Sequence, residues 1–268
     1  SVMNENTEAL KSARAKAKAM AASPGKFAID WKLDTAYHEE ILFHGYMAGY
    51  KPSAVSKLPR LYFDRSRPRD MMVPWQDKYV PDLRVVKPSA YVIRQAWRQV
   101  IQRLEKHGVL IERYSADTVL TVEAYRIGKF ETVKQPFEGH YLHYSVEAVP
   151  ASIPVQLQAG DAIVRMGKET DRFVMETLEP QAPDSWFAWG FFDSVLQQKE
   201  WFSPFVFEDK AAELLAKDPA LREAFDARRA NDPAFAEDGW AQLYFIYQRS
   251  PYFEPGHKVY PVYRIPGL

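Results

Sequence analysis

The sequence predicts an α+β protein, with an antiparallel, β-rich and sandwich-like part followed by a mainly helical C-terminal part. Three observations predict this order. Runs of alternating apolar and polar residues dominate residues 25–168, and the gaps between them are too short for parallel crossovers. Helical spacing takes over in residues 169–268, where Asp218-Pro219 and Asp232-Pro233 each set a capping carboxylate before a proline suited to the first helical position. Hydrophobic residues make up 47% and charged residues 26% of the 268-residue chain, so a core of ordinary size is available without disulfides.

Residues 1–24 read as a helical linker: "ENTEALKSARAKAKAMA" is rich in alanine, lysine and glutamate and offers only a thin apolar stripe, and "SPG" at 23–25 breaks it. "KFAIDWKL", "EEILFHGYMAGY" and "RLYFDR" then carry β-branched and aromatic residues between Pro, Gly and Ser breaks, which predicts several short strands before Val86. One helix is expected over about 90–107, because Ile93, Trp97, Val100, Ile101 and Leu104 share a helical face, with Ser89 as its cap and Gly108 as its end. "VLIERY", "TVLTVEAYRIG", "GHYLHYSVEAV", "IPVQLQAG" and "DAIVRMG" return to strand periodicity. In the C-terminal part, "KAAELLAK", "ALREAFDARRA" and "GWAQLYFIYQRS" supply amphipathic helices, Pro251 stops the last, and the proline-bearing tail is expected to run extended over the surface.

Composition excludes several classes of function. The 35 basic residues balance the 35 acidic ones, so no overall positive field favours a nucleic-acid partner. Cysteine is absent, which removes disulfides, thiolate metal sites and a cysteine nucleophile. No run reaches the ~18 apolar residues of a transmembrane span, and the first thirty residues lack a signal peptide's apolar centre.

No phosphate loop, dinucleotide fingerprint or Gly-x-Ser-x-Gly elbow is present, so no catalytic or cofactor-binding residue is named. "HEEILFH" misses the zinc-protease spacing because Leu42 stands where the second histidine is needed. The best-spaced metal candidates are Glu138, His140 and His143 in "EGHYLHY". On a strand His143 points away from the other two, so ordinary packing is the expectation and no metal site is predicted.

The aromatic stretch "EPQAPDSWFAWGFFDS" reads as core. Asp184 can cap a helix on which Trp186, Trp189, Phe192 and Leu196 recur at roughly helical spacing. If part of it is instead a partner or ligand surface, Glu179, Asp184, Trp186 and Trp189, together with Arg249 and Tyr252 of "YQRSPYFEP", are the candidate residues.

"AYVIRQAWRQVIQRLEKHGV", "TVEAYRI", "PFEGHY", "TLEPQAPDSWFAWGFFDS", "KDPALREAF", "NDPAFA" and "YQRSPYFEP" together resemble the C-terminal, non-catalytic region of bacterial carboxypeptidase A-like zinc metallocarboxypeptidases. The likeness runs through nearly everything after about residue 40. It implies a zinc-dependent parent, an upstream peptidase domain as partner, and a periplasmic or secreted location. The zinc motif His-x-x-Glu has no match, since the third residues after the six histidines are Ile41, Met47, Leu110, His143, Val146 and Tyr260. The resemblance therefore implies an accessory region that holds no cofactor and is inactive alone. The alternative is an independent module, without catalysis, binding a peptide, peptidoglycan or glycan through its aromatic residues; a peptide or cell-wall ligand is its expected partner.

Overall fold

The structure, a computed structural model, describes residues 2–267. Its contacts divide the chain into two units, residues 1–25 with 87–268, and residues 26–86. This is a different division from the boundaries expected at 24/25 and 168/169, because the strands before Val86 pair only among themselves while those after it, apart from one short separate pair, share a sheet with the tail.

The larger unit opens with one turn, α1 (Val2–Glu5), and a helix, α2 (Thr7–Ala22). Apart from Ala21, α2 is largely exposed, as its alanine- and lysine-rich sequence implies. Its last turn is held by Lys87, whose Nζ donates to the carbonyls of Ala21 and Ala22 at 3.0 Å each. The same ammonium lies 2.6 Å from Asp171 Oδ2. Asp171 also accepts the backbone N–H groups of Gly167 and Lys168, so every group in this buried cluster is paired.

The smaller unit contains β1 (Lys26–Leu33), β2 (Glu39–Pro52), β3 (Pro59–Trp75) and β4 (Tyr79–Val86). β1 pairs with β4 and β2 with β3, both antiparallel, which makes a long two-stranded ribbon instead of several short strands. "HEEILFH" lies on it, with His44 Nδ1 2.9 Å from Asp70 Oδ1 across the ladder.

In the larger unit β5 (Ala90–Ile93) is followed by α3 (Arg98–Lys106). The helix expected over 90–107 is thus a strand at its start. "AYVI" is buried on both faces of a sheet, and a short all-apolar run carries no period that separates strand from helix. Ser89 does not cap α3; its hydroxyl donates to the carbonyls of Ile265 and Pro266. Gly108, at φ +79°, follows the helix end as expected.

Next come β6 (Glu112–Arg113), β7 (Thr118–Ile127), β8 (Glu131–Thr132), β9 (His143–Tyr144), β10 (Ala148–Leu157), β11 (Ala162–Arg165) and α4 (Asp171–Leu178). The helical region supplies α5 (Pro204–Lys217), α6 (Pro219–Asn231), α7 (Pro233–Ala236) and α8 (Gly239–Tyr247), and the last strand is β12 (Val262–Ile265). Asp218 and Asp232 cap as their Asp-Pro pairs predict, accepting from the N–H groups of Leu221 at 3.0 Å and Phe235 at 3.1 Å. Phe207, Phe225, Phe235 and Phe245 fill the core between these helices.

One six-stranded antiparallel sheet, in the order β10-β7-β12-β5-β11-β6, organises the larger unit. The tail is therefore not a surface strap. "VYRI" lies between β7 and β5, with Tyr260, Val262, Tyr263 and Arg264 buried. Register sends Val92, Val122, Val155, Leu157 and Tyr263 to one face, where they form an apolar cluster. Tyr91, Glu123, Tyr125 and Arg264 go to the other.

Candidate functional site

The second face carries the densest buried chemistry of the chain. Arg264 stands directly across from Tyr91 on β5 and from Glu123 on β7, and Tyr125 follows Glu123 on the same face. Glu179, the residue that ends α4, reaches the same place and is 1% exposed. The Tyr91 hydroxyl donates to Glu179 Oε1. Arg264 Nε lies 3.1 Å from that oxygen, and Nη1 donates to the Tyr125 hydroxyl at 2.9 Å and to the Glu123 carboxylate.

Burial governs the electrostatics here. It pushes the Glu179 carboxyl above its ordinary value, and the opposing pull of Arg264, Tyr91 and Tyr125 offsets only part of that. Burial first, then the Glu179 charge, raises the phenols of Tyr91, Tyr125 and Tyr260 as well. Burial is the largest influence on Arg264 and works against its charge, but Glu179, Tyr125, Tyr91 and Glu123 together outweigh it and raise its value. Two carboxylates share one guanidinium, and only Glu123, with 34% of its side chain exposed, approaches solvent. It borders a depression of about 320 Å³ lined also by Thr121, Ser152 and Pro266. The cluster clamps the end of α4 to the centre of the sheet.

The aromatic stretch lies beside this clamp, and it is not the helix that its spacing predicts. Residues 180–192 form successive turns, and only a 3₁₀ turn, Asp193–Val195, follows. The Trp186 N–H donates to the Thr177 carbonyl, Gly190 adopts φ +74°, and Pro180 and Pro183 withhold N–H groups, so helical bonding cannot propagate. Asp184 caps no helix; its carboxylate accepts from Trp189 Nε1 at 2.6 Å. Trp186 is buried against Phe173, and Phe187 and Phe192 both meet the Tyr260 ring edge-on. Trp189 is half-buried, and Asp184 is exposed.

The structure does not bring Glu138, His140 and His143 together. Glu138 and Gly139 form a tight turn at positive φ, leaving the carboxylate exposed. His140 Nδ1 lies 2.8 Å from the Trp189 carbonyl. Both ring nitrogens of buried His143 are engaged at 2.9 Å, one by Thr132 and the other by Asp193. Among the described residues no group of three or more His, Cys, Asp or Glu side chains has the arrangement of a metal site. Among them, too, no helix is long and apolar enough to cross a membrane.

Of the other candidate surface residues, Arg249 stacks its guanidinium 3.7 Å from the centre of the Phe245 ring. Tyr252 lines a hollow of about 430 Å³ together with Trp201, Phe202, Phe207 and Tyr247, and with Glu200 and Lys210 as its charged groups. Tyr244 stacks on both Trp201 and Trp240 beside it. Sequence reasoning named only Tyr252 of this hollow. The dense aromatic spacing of "EWFSPFVF" and "GWAQLYFIY" was the available signal.

Comparison with known proteins relates part of the chain to fungal enzymes. The chain is 28% identical over 104 residues to Carboxypeptidase 2 of Trichophyton tonsurans and equally to that of Trichophyton equinum. It is 27% identical over 110 residues to Carboxypeptidase 2 of Trichophyton rubrum. The matched stretch covers 39–41% of this chain but only 19–20% of each relative. The chain thus contains a carboxypeptidase-related region and spans about a fifth of the relatives it matches. No protein-family model matches the chain, and no solved structure does.

Proposed function

We propose that this chain is the accessory region of a carboxypeptidase-like polypeptide, packing against a peptidase part whose sequence is not among these residues. One observation carries the reading: the likeness to carboxypeptidases covers a fifth of their length, while none of the six histidines here opens a His-x-x-Glu pair. In this reading zinc belongs to the peptidase part, where it would polarise a scissile carbonyl and activate water. The present chain supports that part sterically, and the whole acts outside the cytoplasm, in a bacterium of the carboxypeptidase A-like lineage that the sequence resembles. The reading frame upstream of Ser1 tests it. A segment bearing His-x-x-Glu and a secretion signal is expected, and a stop codon immediately upstream would sink the proposal. Purified alone, the chain should hold no stoichiometric zinc by mass spectrometry and release no C-terminal residue from blocked dipeptides.

A second reading is favoured by the aromatic hollow at Trp201, Phe202 and Tyr252. Stacked rings with one acid and one base at the rim suit a sugar ring or a short peptide, as an independent peptide-, peptidoglycan- or glycan-binding module requires. Calorimetry with muropeptides separates the two. Saturable binding that is lost in Trp201→Ala favours the module, and no heat with any fragment favours the accessory region.

A further inference from the structure

We infer that one face of the ribbon formed by β2 and β3 is a docking surface for a protein partner that presents carboxylates around an apolar patch. The register places Leu42, Tyr46, Tyr50, Leu61, Phe63 and Met72 on one face of this ladder. All six are exposed, Tyr50 at 73% and Phe63 at 60%. On the opposite face Ile41, Met47, Tyr62, Met71 and Val73 are each half-buried, and Phe43 and Trp75 are its exposed large apolar side chains. A two-stranded ribbon has no second layer of its own, and six large apolar side chains on one exposed face form the kind of patch that marks a contact site.

Charge identifies the partner. Of the lysines and arginines between Leu42 and Met72, register sends Lys51, Arg60 and Arg69 to the opposite face and leaves Lys57 at the turn and Arg65 and Arg67 in β3 beside the patch, against Asp64 and Asp70, the latter engaged by His44. The ladder slips between Tyr46 and Met47, so Arg65, Ser66 and Arg67 have no residue opposite and form a bulge between Asp64 and Pro68. Asp64 Oδ1 fixes that bulge by accepting from the Ser66 N–H at 3.0 Å and from its hydroxyl at 2.7 Å. Ser66 thereby holds Asp64 engaged between the two arginines. Among the described residues, the ion pairs of this unit use Lys32, His38 and His44, and none uses Arg60, Arg65, Arg67 or Arg69.

Tyrosine, phenylalanine, methionine and arginine are the residues enriched where proteins meet. Apolar side chains such as Leu42, Leu61, Phe63 and Met72 have nothing to gain from a phosphate backbone, which argues against nucleic acid. Like charge argues against the same face of a second copy. The edge of β3 is guarded by Pro59, Pro68, Pro74 and the bulge, so no strand adds along β3, and the exposed apolar side chains offer the partner the face of the ribbon. The inference holds whether or not the partner is the peptidase part of the same polypeptide.

Fluorescence anisotropy on the whole chain tests it with three labelled probes: an amphipathic helix of leucine and tryptophan flanked by glutamates, a glutamate-only peptide of equal charge, and a 20-base-pair DNA duplex. The amphipathic acidic peptide should bind at least about tenfold more tightly than either control, and its affinity should fall with added salt. The double variants Arg65→Glu/Arg67→Glu and Leu61→Ser/Phe63→Ser should each weaken it about tenfold or more while leaving the circular dichroism spectrum unchanged. Absence of peptide binding, tighter binding of DNA, or indifference to either double variant would overturn the inference.

Discussion

Lys87 Nζ lies 2.6 Å from Asp171 Oδ2 with both side chains almost wholly buried, at 4% and 1% exposure. The same ammonium closes the last turn of α2 through the carbonyls of Ala21 and Ala22. Helix, loop and α4 therefore share one cation. Lys87→Met leaves Asp171 buried without its counter-charge and should cost about 3 to 5 kcal/mol, read from the urea midpoint. It should also free α2, so that amide exchange over Thr7–Ala22 accelerates more than exchange in β5. Uniform acceleration across both elements would show that the lysine does not hold the helix specifically.

The Glu179 carboxyl sits above its ordinary value of 4.5 because burial outweighs the pull of Arg264. A raised carboxyl means that the folded state holds its proton to higher pH than the unfolded state does. Its stabilising contribution is then complete below the ordinary value and is lost as pH rises through the raised one. Measured against Glu179→Gln, which cannot titrate, the wild type should lose relative stability as pH climbs from the ordinary carboxyl value through the raised one. A relative gain over that interval would show that Arg264 wins instead.

Trp186 and Trp189 stand three residues apart, yet they should respond differently to truncation. Trp186 is buried, at 7% exposure, and Trp186→Ala should cost about 3 to 5 kcal/mol. Trp189 is half-buried and tied by its indole N–H to exposed Asp184, so Trp189→Ala should cost only about 1 to 2 kcal/mol. Equilibrium denaturation of both variants checks the ranking, and equal losses would contradict it.

The Tyr260 hydroxyl donates to the Leu178 carbonyl at 2.8 Å in a fully enclosed position. Tyr260→Phe should cost about 1 kcal/mol at neutral pH through the orphaned carbonyl. Burial holds this phenol well above its ordinary value of 10.0, so the unfolded chain releases the proton first and stability declines above that value. The variant should show a shallower alkaline decline. An unchanged slope would assign the decline to Tyr91 and Tyr125.

What could be read from the sequence depended on whether the decisive interaction was local. Asp218 and Asp232 announce their helices because cap and helix start are neighbours. Alternation in "TVLTVEAYRI" likewise reports one strand's own burial. "AYVI" and "VYRI" are too short and too evenly buried to display a period, so one reads as helix and the other as surface tail. The turns at 180–192 keep helical spacing in their sequence, but Trp186 bonds back to Thr177. The clamp was hidden for a different reason: Tyr91 and Glu179 stand 88 residues apart, and Arg264 reaches Glu123 across 141. Strand register and the packing of the end of α4 bring them together.

The position of β12 between β7 and β5 also fixes an order in time. Ser89 waits for its partner Ile265, 176 positions later, so on the ribosome β5 and β7 emerge long before the strand that must separate them. Until then the centre of the sheet lacks its middle member, and the carboxyls of Glu179 and Glu123 lack their arginine. Nascent chains should stay open to protease and chaperone until synthesis passes Ile265, and refolding should be slow for a domain of this size.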